Sequence, residues 1–180
     1  RGLAEVNPVR MIEVLEECGV WNRIFADISV TGRVREALLR AAQRKLDTAQ
    51  RTALLFAEFN DPVKLRQRLQ ALRVDADTIS LCEIFCRLHH TLFTLHEAGD
   101  YVTFLEAADV LRRPSRFESF LATCAAFDPQ IDFAALRLAA RAFIETDAGA
   151  AARQAQGKNV AQAVRQARLA AVKSALCHSL

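Results

Sequence analysis

The sequence predicts an all-α fold, and three observations support that prediction. Apolar residues recur every three or four positions through most of the 180 residues, which is the period of a helix with one buried face. An asparagine or aspartate precedes proline at Asn7-Pro8 and Asp61-Pro62, a pairing that caps and starts helices. No segment alternates apolar and polar residues over the length of a strand. We therefore expect a compact bundle of about eight or nine helices joined by short loops.

The first part of the chain is expected to form helices that open on recognisable caps. Pro8 follows the capping Asn7, and Gly19 stands where a helix of this length ends. Thr31 is the next side chain able to cap, and Asp61 repeats the cap before proline. In chain order we predict a helix from Pro8 to Gly19, an apolar turn at Trp21–Phe25, a helix from Thr31 to Leu46, a helical stretch at Ala53–Ala57 and a helix from Pro62 to Leu72.

The longest helix is expected to follow Asp75 and Asp77, either of which can cap it. Its apolar positions keep helical spacing until Gly99, so it would be about 20 residues long and form the spine of the domain. Glu145 and Asp147 form a second acidic pair at a helix end, where capping is again the ordinary explanation. Beyond Gly99 we predict helices at Tyr101–Leu111, from Pro114 through Cys124, at Phe133–Glu145 and at Val160–Leu176, the last capped by Asn159.

Charge is distributed unevenly along the chain. Residues 33–73 hold ten basic and four acidic side chains, residues 74–150 hold six and twelve, and residues 151–180 hold five and none. If the fold brings the two basic stretches together, they form a positive surface that attracts phosphate groups. The alternative is that the arginines and lysines simply cover solvated helix surfaces.

The cysteines and the apolar runs exclude several classes of protein. The five cysteines are an odd number without a Cys-x-x-Cys pair, so neither a disulfide framework nor a zinc ribbon is predicted. The longest apolar runs, such as Ala53–Ala57, reach five residues, and no secretory signal opens the chain. We expect a cytoplasmic protein that does not enter a membrane. Because the chain begins with Arg1 rather than Met, we expect a processed product or a piece of a longer protein.

Three stretches of the chain carry motifs in a fixed order. Asn7–Trp21 contains Asn-Pro, Val-Leu and Cys-Gly at fixed spacing, Leu72-Arg73-Val74 opens a helix that reaches His89, and residues 111–118 read Leu-Arg-Arg-Pro-Ser-Arg-Phe-Glu. Asp128 and the final basic helix follow in the same order. Together these stretches resemble the region that follows the catalytic head of bacterial CCA-adding tRNA nucleotidyltransferases, over roughly three quarters of the chain.

The resemblance implies a neck or body segment at residues 1–60 and an HD-type helical domain at residues 61–180. Such a domain holds a divalent metal through an early histidine, a His-Asp pair and a later aspartate. Here no histidine precedes His89, the stretch Thr52–Asp61 stands where the His-Asp pair is expected, and His89-His90 replaces a later His-Asp. We therefore expect an HD-like domain that has lost its metal ligands.

Nucleotidyl transfer is also not expected from this chain alone. The resemblance implies a separate head with a glycine-rich turn and paired carboxylates that hold two metals, and no such turn is present here. No catalytic residue and no cofactor are predicted for this chain, and Mg²⁺ and nucleotide are expected only with the missing head. Whether the full-length protein is the enzyme therefore depends on that head.

The resemblance implies that this region binds tRNA and orients it for the head during tRNA 3′-end processing. The expected partners are tRNA and the protein's own N-terminal head, with a homodimer possible and neither DNA nor a membrane involved. Arginines beside a helix start and along a basic helix can hold phosphate oxygens without reading bases. The predicted RNA-binding residues are Arg112, Arg113, Arg116, Lys158, Arg165 and Arg168. Pairing of the first three with Asp109 and Glu118 is the structural alternative.

Two other interpretations remain open. Cys82, Cys86 and His89 are spaced to share one helix face, so a relic metal-dependent phosphohydrolase could use them as ligands, although cysteines on an apolar helix face more commonly belong to the core. A helical module for protein interaction or dimerisation, derived from an HD domain, is the third reading. Exposed phenylalanines around Phe117 and Phe120 would favour it.

Overall fold

The computed structural model describes residues 2–155 and 159–177, and these residues confirm the all-α class. They contain eleven α-helices, two 3₁₀ helices at Gly2–Ala4 and His89–Thr94, and no strand. The HD-like character of the fold stays a prediction. The helices are α1 (Pro8–Glu17), α2 (Trp21–Ile24), α3 (Gly32–Gln43), α4 (Thr48–Leu55), α5 (Pro62–Ala71), α6 (Ala76–Leu88), α7 (Ala98–Ala107), α8 (Pro114–Phe127), α9 (Ala134–Glu145), α10 (Ala148–Gln154) and α11 (Val160–Cys177).

Local capping starts the helices where the sequence predicts them. The side chains of Asn7, Thr31, Asp61 and Asp75 each accept a hydrogen bond from a backbone N–H in the first turn of the helix that follows. Asp147 does the same for α10, so both acidic pairs are explained by caps. Gly19 follows the end of α1 with a φ of 65°, the left-handed conformation that glycine adopts without strain.

The prediction of one long helix from Asp75 to Gly99 is wrong. Helix α6 ends at Leu88 after 13 residues and continues as the 3₁₀ helix, while α7 already begins at Ala98. The carboxylate of Asp100 accepts hydrogen bonds from the backbone N–H groups of His96 and Glu97, at 3.1 and 2.9 Å. These bonds satisfy the free donors of a new helix start, so Gly99 lies in the first turn of α7 rather than at the end of α6.

Two helices depart from the predicted set. The segment from Thr31 to Leu46 stops at Gln43, and a reciprocal capping box between Asp47 and Gln50 starts α4, so the helical stretch predicted at Ala53–Ala57 begins earlier, at Thr48, and ends at Leu55. Helix α10 is not in the predicted set. The longest helix is α11, with 18 residues. The described residues therefore form more and shorter helices than the apolar period alone suggests.

The chain divides into two units, each with its own core. The first takes in the chain up to His90 together with residues 118–131, and the second takes in residues 91–117 and the chain from Asp132 onward. The predicted boundary at residue 60 stays a prediction. Fully buried side chains of the first unit include Ile12, Leu38, Leu54, Leu65, Leu69, Ile84, Phe85 and Phe120. Those of the second include Val102, Leu105, Ala139, Phe143 and Val172.

Helices α7, α9 and α11 pack together in the second unit, and α10 contacts α11. In the first unit α4 packs against α3 and α6, and α5 against α6. Among the described residues, no helix combines the length and the apolar character that crossing a lipid bilayer requires.

Candidate nucleic-acid interface

Helix α3 turns its arginines onto the end of helix α8 within the first unit. Arg40 donates from Nε to the carbonyl oxygen of Ala126 at 2.7 Å and from Nη2 to that of Phe127 at 3.1 Å. Arg44, the C-cap residue that follows α3, donates to the carbonyl of Ala125 at 2.9 Å. The last carbonyls of a helix have no partner within the helix and carry the negative end of its dipole. The two arginines supply the donors that these carbonyls need.

Arg33, which precedes Arg40 by seven residues on α3, completes this contact. Its guanidinium carbon lies 4.2 Å from the centroid of the Phe127 ring, and its Nη2 lies 3.2 Å from a carboxylate oxygen of Asp128. We call Arg33, Arg40 and Arg44 the α3 clamp. All three belong to the basic stretch 33–73, and their charges are directed at the protein itself.

Most of the remaining basic side chains in residues 33–73 are also engaged. Arg51 is buried and donates to the backbone carbonyls of Leu3, Glu5 and Leu46 at 2.8 to 2.9 Å. Lysine or arginine forms an ion pair with a carboxylate at Arg35–Glu16, Lys64–Asp61, Arg66–Glu83 and Arg68–Asp27. Eight of the ten basic residues in this stretch therefore have protein partners, so its charge count overstates the cationic surface available to RNA.

The second unit contains a cavity of about 290 Å³ beside the end of α7. Two of the predicted RNA-binding arginines, Arg112 and Arg168, line it although they lie 56 positions apart in the chain. Acidic and apolar side chains complete the lining: Leu105, Glu106, Asp109, Val110, Leu111 and Phe143. We call this cavity the α7–α11 pocket.

A left-handed residue shapes one wall of the pocket. Asp109 follows the end of α7 with a φ of 53°, where glycine is the usual residue. The backbone N–H of Val110 then reaches the carbonyl of Leu105 at 3.3 Å, which closes the end of the helix. The residues between this turn and Pro114 include Leu111 and Arg112, which are exposed.

Arg168 forms the opposite wall. Its guanidinium carbon lies 4.6 Å from the centroid of the buried Phe143 ring on α9. Its Nε is buried and has no hydrogen-bond partner among the described residues. Burying a charged donor without a partner costs free energy, which a bound acceptor near the guanidinium would offset. Within the described ranges, no ion pair joins Arg168 or Arg112 to Asp109 or Glu106.

The other predicted RNA-binding residues lie outside the pocket lining. Arg165 is exposed and contacts Glu106 Oε2 at 3.2 Å and Thr103 Oγ1 at 3.0 Å. Arg116 turns inward and donates to the carbonyl of Ala108 at 2.8 Å, which ties α8 to the turn after α7. Arg113 is exposed just before Pro114. Lys158 lies outside the described residues.

The possible metal ligands Cys82, Cys86 and His89 lie in the first unit, where Cys82 is buried and the other two have backbone carbonyl partners. Cys86 Sγ donates to the carbonyl of Phe59 at 2.6 Å, and His89 Nδ1 lies 2.7 Å from the carbonyl oxygen of Phe85. Burial raises the pKa of the Cys82 thiol and lowers the pKa of His89. Over the described ranges, no three His, Cys, Asp or Glu side chains form a group that could hold a metal ion.

The segment aligned with the HD-type His-Asp pair falls at the end of α4. Ala53, Leu54 and Phe56 are buried there, and Thr52 Oγ1 donates to the carbonyl of Thr48 at 2.7 Å. A catalytic divalent ion requires imidazole or carboxylate ligands. The segment Thr52–Asp61 has no imidazole, and its two carboxylates are engaged, since Glu58 accepts a hydrogen bond from Thr31 Oγ1 at 3.3 Å and Asp61 caps α5.

The phenylalanines that would favour an interaction module are not exposed. Phe117 is 3% exposed and Phe120 is fully buried. They therefore give no support to an apolar docking face on α8.

Sequence reasoning did not single out Phe143 or assign a binding role to Asp109. Phe143 belongs to the apolar stripe of α9, so its pattern indicates only core. Asp109 follows the last apolar turn of α7, and that position is a weak signal for a left-handed residue. Their place in a pocket depends on tertiary packing.

Comparison with known proteins identifies relatives of the whole chain. The CCA-adding enzymes of Bordetella bronchiseptica and Bordetella pertussis are each 33% identical to it over 177 residues, which are 97% of this chain and 48% of each of those proteins. The chain is a homologue of bacterial CCA-adding enzymes. The Multifunctional CCA protein of Burkholderia ambifaria is 30% identical over 98% of this chain and 54% of that protein.

The predicted resemblance is thereby confirmed. The chain spans about half the length of the CCA-adding enzymes that it matches, which is consistent with a C-terminal region of such an enzyme. No family model matches the chain. No solved structure matches it either.

Proposed function

We propose that this region binds tRNA without catalysing a reaction and orients it for a nucleotidyltransferase head that is not part of the chain. The proposal has two supports. The relatives are named for CCA addition, and the chain corresponds to about half of each. The pocket then offers two arginines, Arg112 and Arg168, that have no carboxylate partner among the described residues. In this proposal the complete protein acts in tRNA 3′-end processing, in the cytoplasm, with Mg²⁺ and nucleotide held by the head.

One observation carries the proposal: Arg112 and Arg168 meet at one pocket, and neither has a carboxylate partner among the described residues. A guanidinium that is not neutralised attracts phosphate oxygens and releases counterions when it binds them. The α3 clamp does not offer this, because Arg40 and Arg44 already hold carbonyls and Arg33 is paired with the Asp128 carboxylate. Arg165 lies close by and adds positive charge.

The test is a filter-binding titration of the chain with tRNA at several salt concentrations. The double variant Arg112→Ala with Arg168→Ala is expected to lose about a hundredfold in affinity, about tenfold for each charge-assisted contact, and the salt dependence should weaken by about two contacts. Arg141→Ala is the matched control, because Arg141 is an exposed arginine of α9 outside the pocket lining. Equal losses in the double variant and the control, or no tRNA affinity at low salt, would refute the proposal.

A further inference from the structure

We propose that the α7–α11 pocket accepts one unstacked nucleotide of the bound RNA, with the base inside and the phosphate at Arg112. This inference rests on the proposed tRNA binding and adds a ligand class to it: a nucleotide whose base carries an exocyclic amine. Arg168 stacks on the base, and Asp109 accepts a hydrogen bond from the amine. A site that only contacted phosphate would need the positive charge of the arginines, but neither a stacking surface at Arg168 nor the carboxylate of Asp109.

The walls of the pocket suit a base better than a phosphate. The volume of about 290 Å³ is close to the lower limit for small-molecule sites, about 300 Å³. Half of the lining is apolar, from Leu105, Val110, Leu111 and Phe143. Apolar walls offer nothing to a hydrated phosphate, whereas a planar base gains from leaving water.

Arg168 offers a flat surface for stacking. Its guanidinium carbon lies 4.6 Å from the centroid of the Phe143 ring, so the group already contacts one aromatic ring. Proteins that recognise single-stranded RNA stack unpaired bases on aromatic rings and on arginine planes. A base entering the pocket would extend the pair of Phe143 and Arg168 into a stack of three planes.

The acidic lining argues against a site for phosphate alone. The carboxylate of Asp109 has no hydrogen bond or ion pair with any described residue, and Glu106 is paired with Arg165. An unpaired carboxylate in the same cavity would repel a phosphate. It would accept a hydrogen bond from the amino group of cytosine, adenine or guanine. A nucleotide with an amine on its base suits both, because its phosphate can bind an arginine and its amine can bind the carboxylate of Asp109.

Asp109 also provides a clean variant. Its backbone is left-handed at a φ of 53°, a conformation that asparagine adopts more readily than most residues. Asp109→Asn therefore removes the charge without straining the turn. A phosphate site should bind its ligand more tightly after this change, whereas a site that uses the carboxylate for a base amine should bind more weakly.

The experiment is an NMR titration of the chain with CMP, UMP and ribose 5-phosphate at constant ionic strength. CMP should bind about tenfold more tightly than ribose 5-phosphate, because one stacked base is worth roughly 1–3 kcal/mol. In wild type, CMP should also bind more tightly than UMP, whose base has no amine. In Asp109→Asn, CMP should bind about tenfold more weakly and should no longer bind more tightly than UMP. Arg168→Lys should weaken CMP and UMP but leave ribose 5-phosphate nearly unchanged, since lysine keeps the charge and loses the plane.

Several outcomes would overturn the inference. Ribose 5-phosphate binding as tightly as CMP, or tighter binding of all three ligands to Asp109→Asn, would mean a phosphate site. Addition of tRNA should displace CMP. If it does not, the pocket binds a free nucleotide and not a nucleotide of the RNA. If the double arginine variant loses tRNA affinity while CMP does not bind at all, the inference fails and the proposed function stands. If wild-type protein has no tRNA affinity, the proposed function fails first.

Discussion

Arg40 in the first unit and Arg168 in the second are both partly buried arginines on helices, yet their surroundings differ completely. Arg40 donates to two carbonyl oxygens at the end of α8, at 2.7 and 3.1 Å. Arg168 lies over Phe143 and leaves its Nε without a partner among the described residues. The first arrangement stabilises the fold, whereas the second leaves the guanidinium without a carbonyl or carboxylate partner among the described residues. The number of positive charges in a segment therefore does not indicate which of them a nucleic acid can use.

The largest expected effect is on the stability of the first unit. Arg40→Ala leaves two carbonyls at the end of α8 without their donors, and Ala126 is fully buried. We expect a loss of about 2–3 kcal/mol in the free energy of unfolding, measured by urea denaturation. Arg141 is exposed and has no such contacts with the described part of the chain, so Arg141→Ala should change it by less than about 0.5 kcal/mol. Equal effects of the two substitutions would mean that the α3 clamp does not stabilise the fold.

A smaller effect of opposite sign is expected at the pocket. Arg168→Leu keeps an apolar contact with Phe143 and removes a buried Nε that has no partner among the described residues. The variant should be about 0.5–1 kcal/mol more stable than wild type, because the desolvation cost exceeds the cation–π attraction. The same variant should lose tRNA affinity. A thermal melt shows whether stability rises, and a fall of the size expected for Arg40→Ala would contradict the contrast between the two arginines.

Features set by neighbouring residues could be predicted from the sequence. The caps at Asn7, Thr31, Asp61 and Asp75 depend on residues within one turn, and all four were found. The helix boundary near Gly99 was missed because the apolar period continues through it, while the carboxylate of Asp100 starts a new helix. Apolar spacing describes the buried face of a helix and does not show where one helix gives way to another.

The candidate site was only partly predictable, because its chemistry depends on long-range packing. Arg112 and Arg168 stood out by charge and by the family resemblance, and the pocket brings them together. The basic stretch 33–73 carries as much excess positive charge in the sequence, but Arg40 finds its partners 86 and 87 positions away. No local pattern distinguishes an arginine that will meet a carbonyl from one that will meet a ring.

The smallest effect is expected at Arg165, an exposed arginine whose charge is partly offset by a carboxylate. Its Nε is 3.2 Å from the Glu106 carboxylate, and the two side chains are 52% and 36% exposed. An ion pair this open to water contributes less than about 0.5 kcal/mol, so Arg165→Ala should leave the urea midpoint almost unchanged. Because Glu106 already offsets part of its charge, the variant should lose only about two- to threefold in tRNA affinity, less than Arg168→Ala. A loss as large as that of Arg168→Ala would show that the carboxylate partner does not set how much of an arginine's charge reaches the RNA.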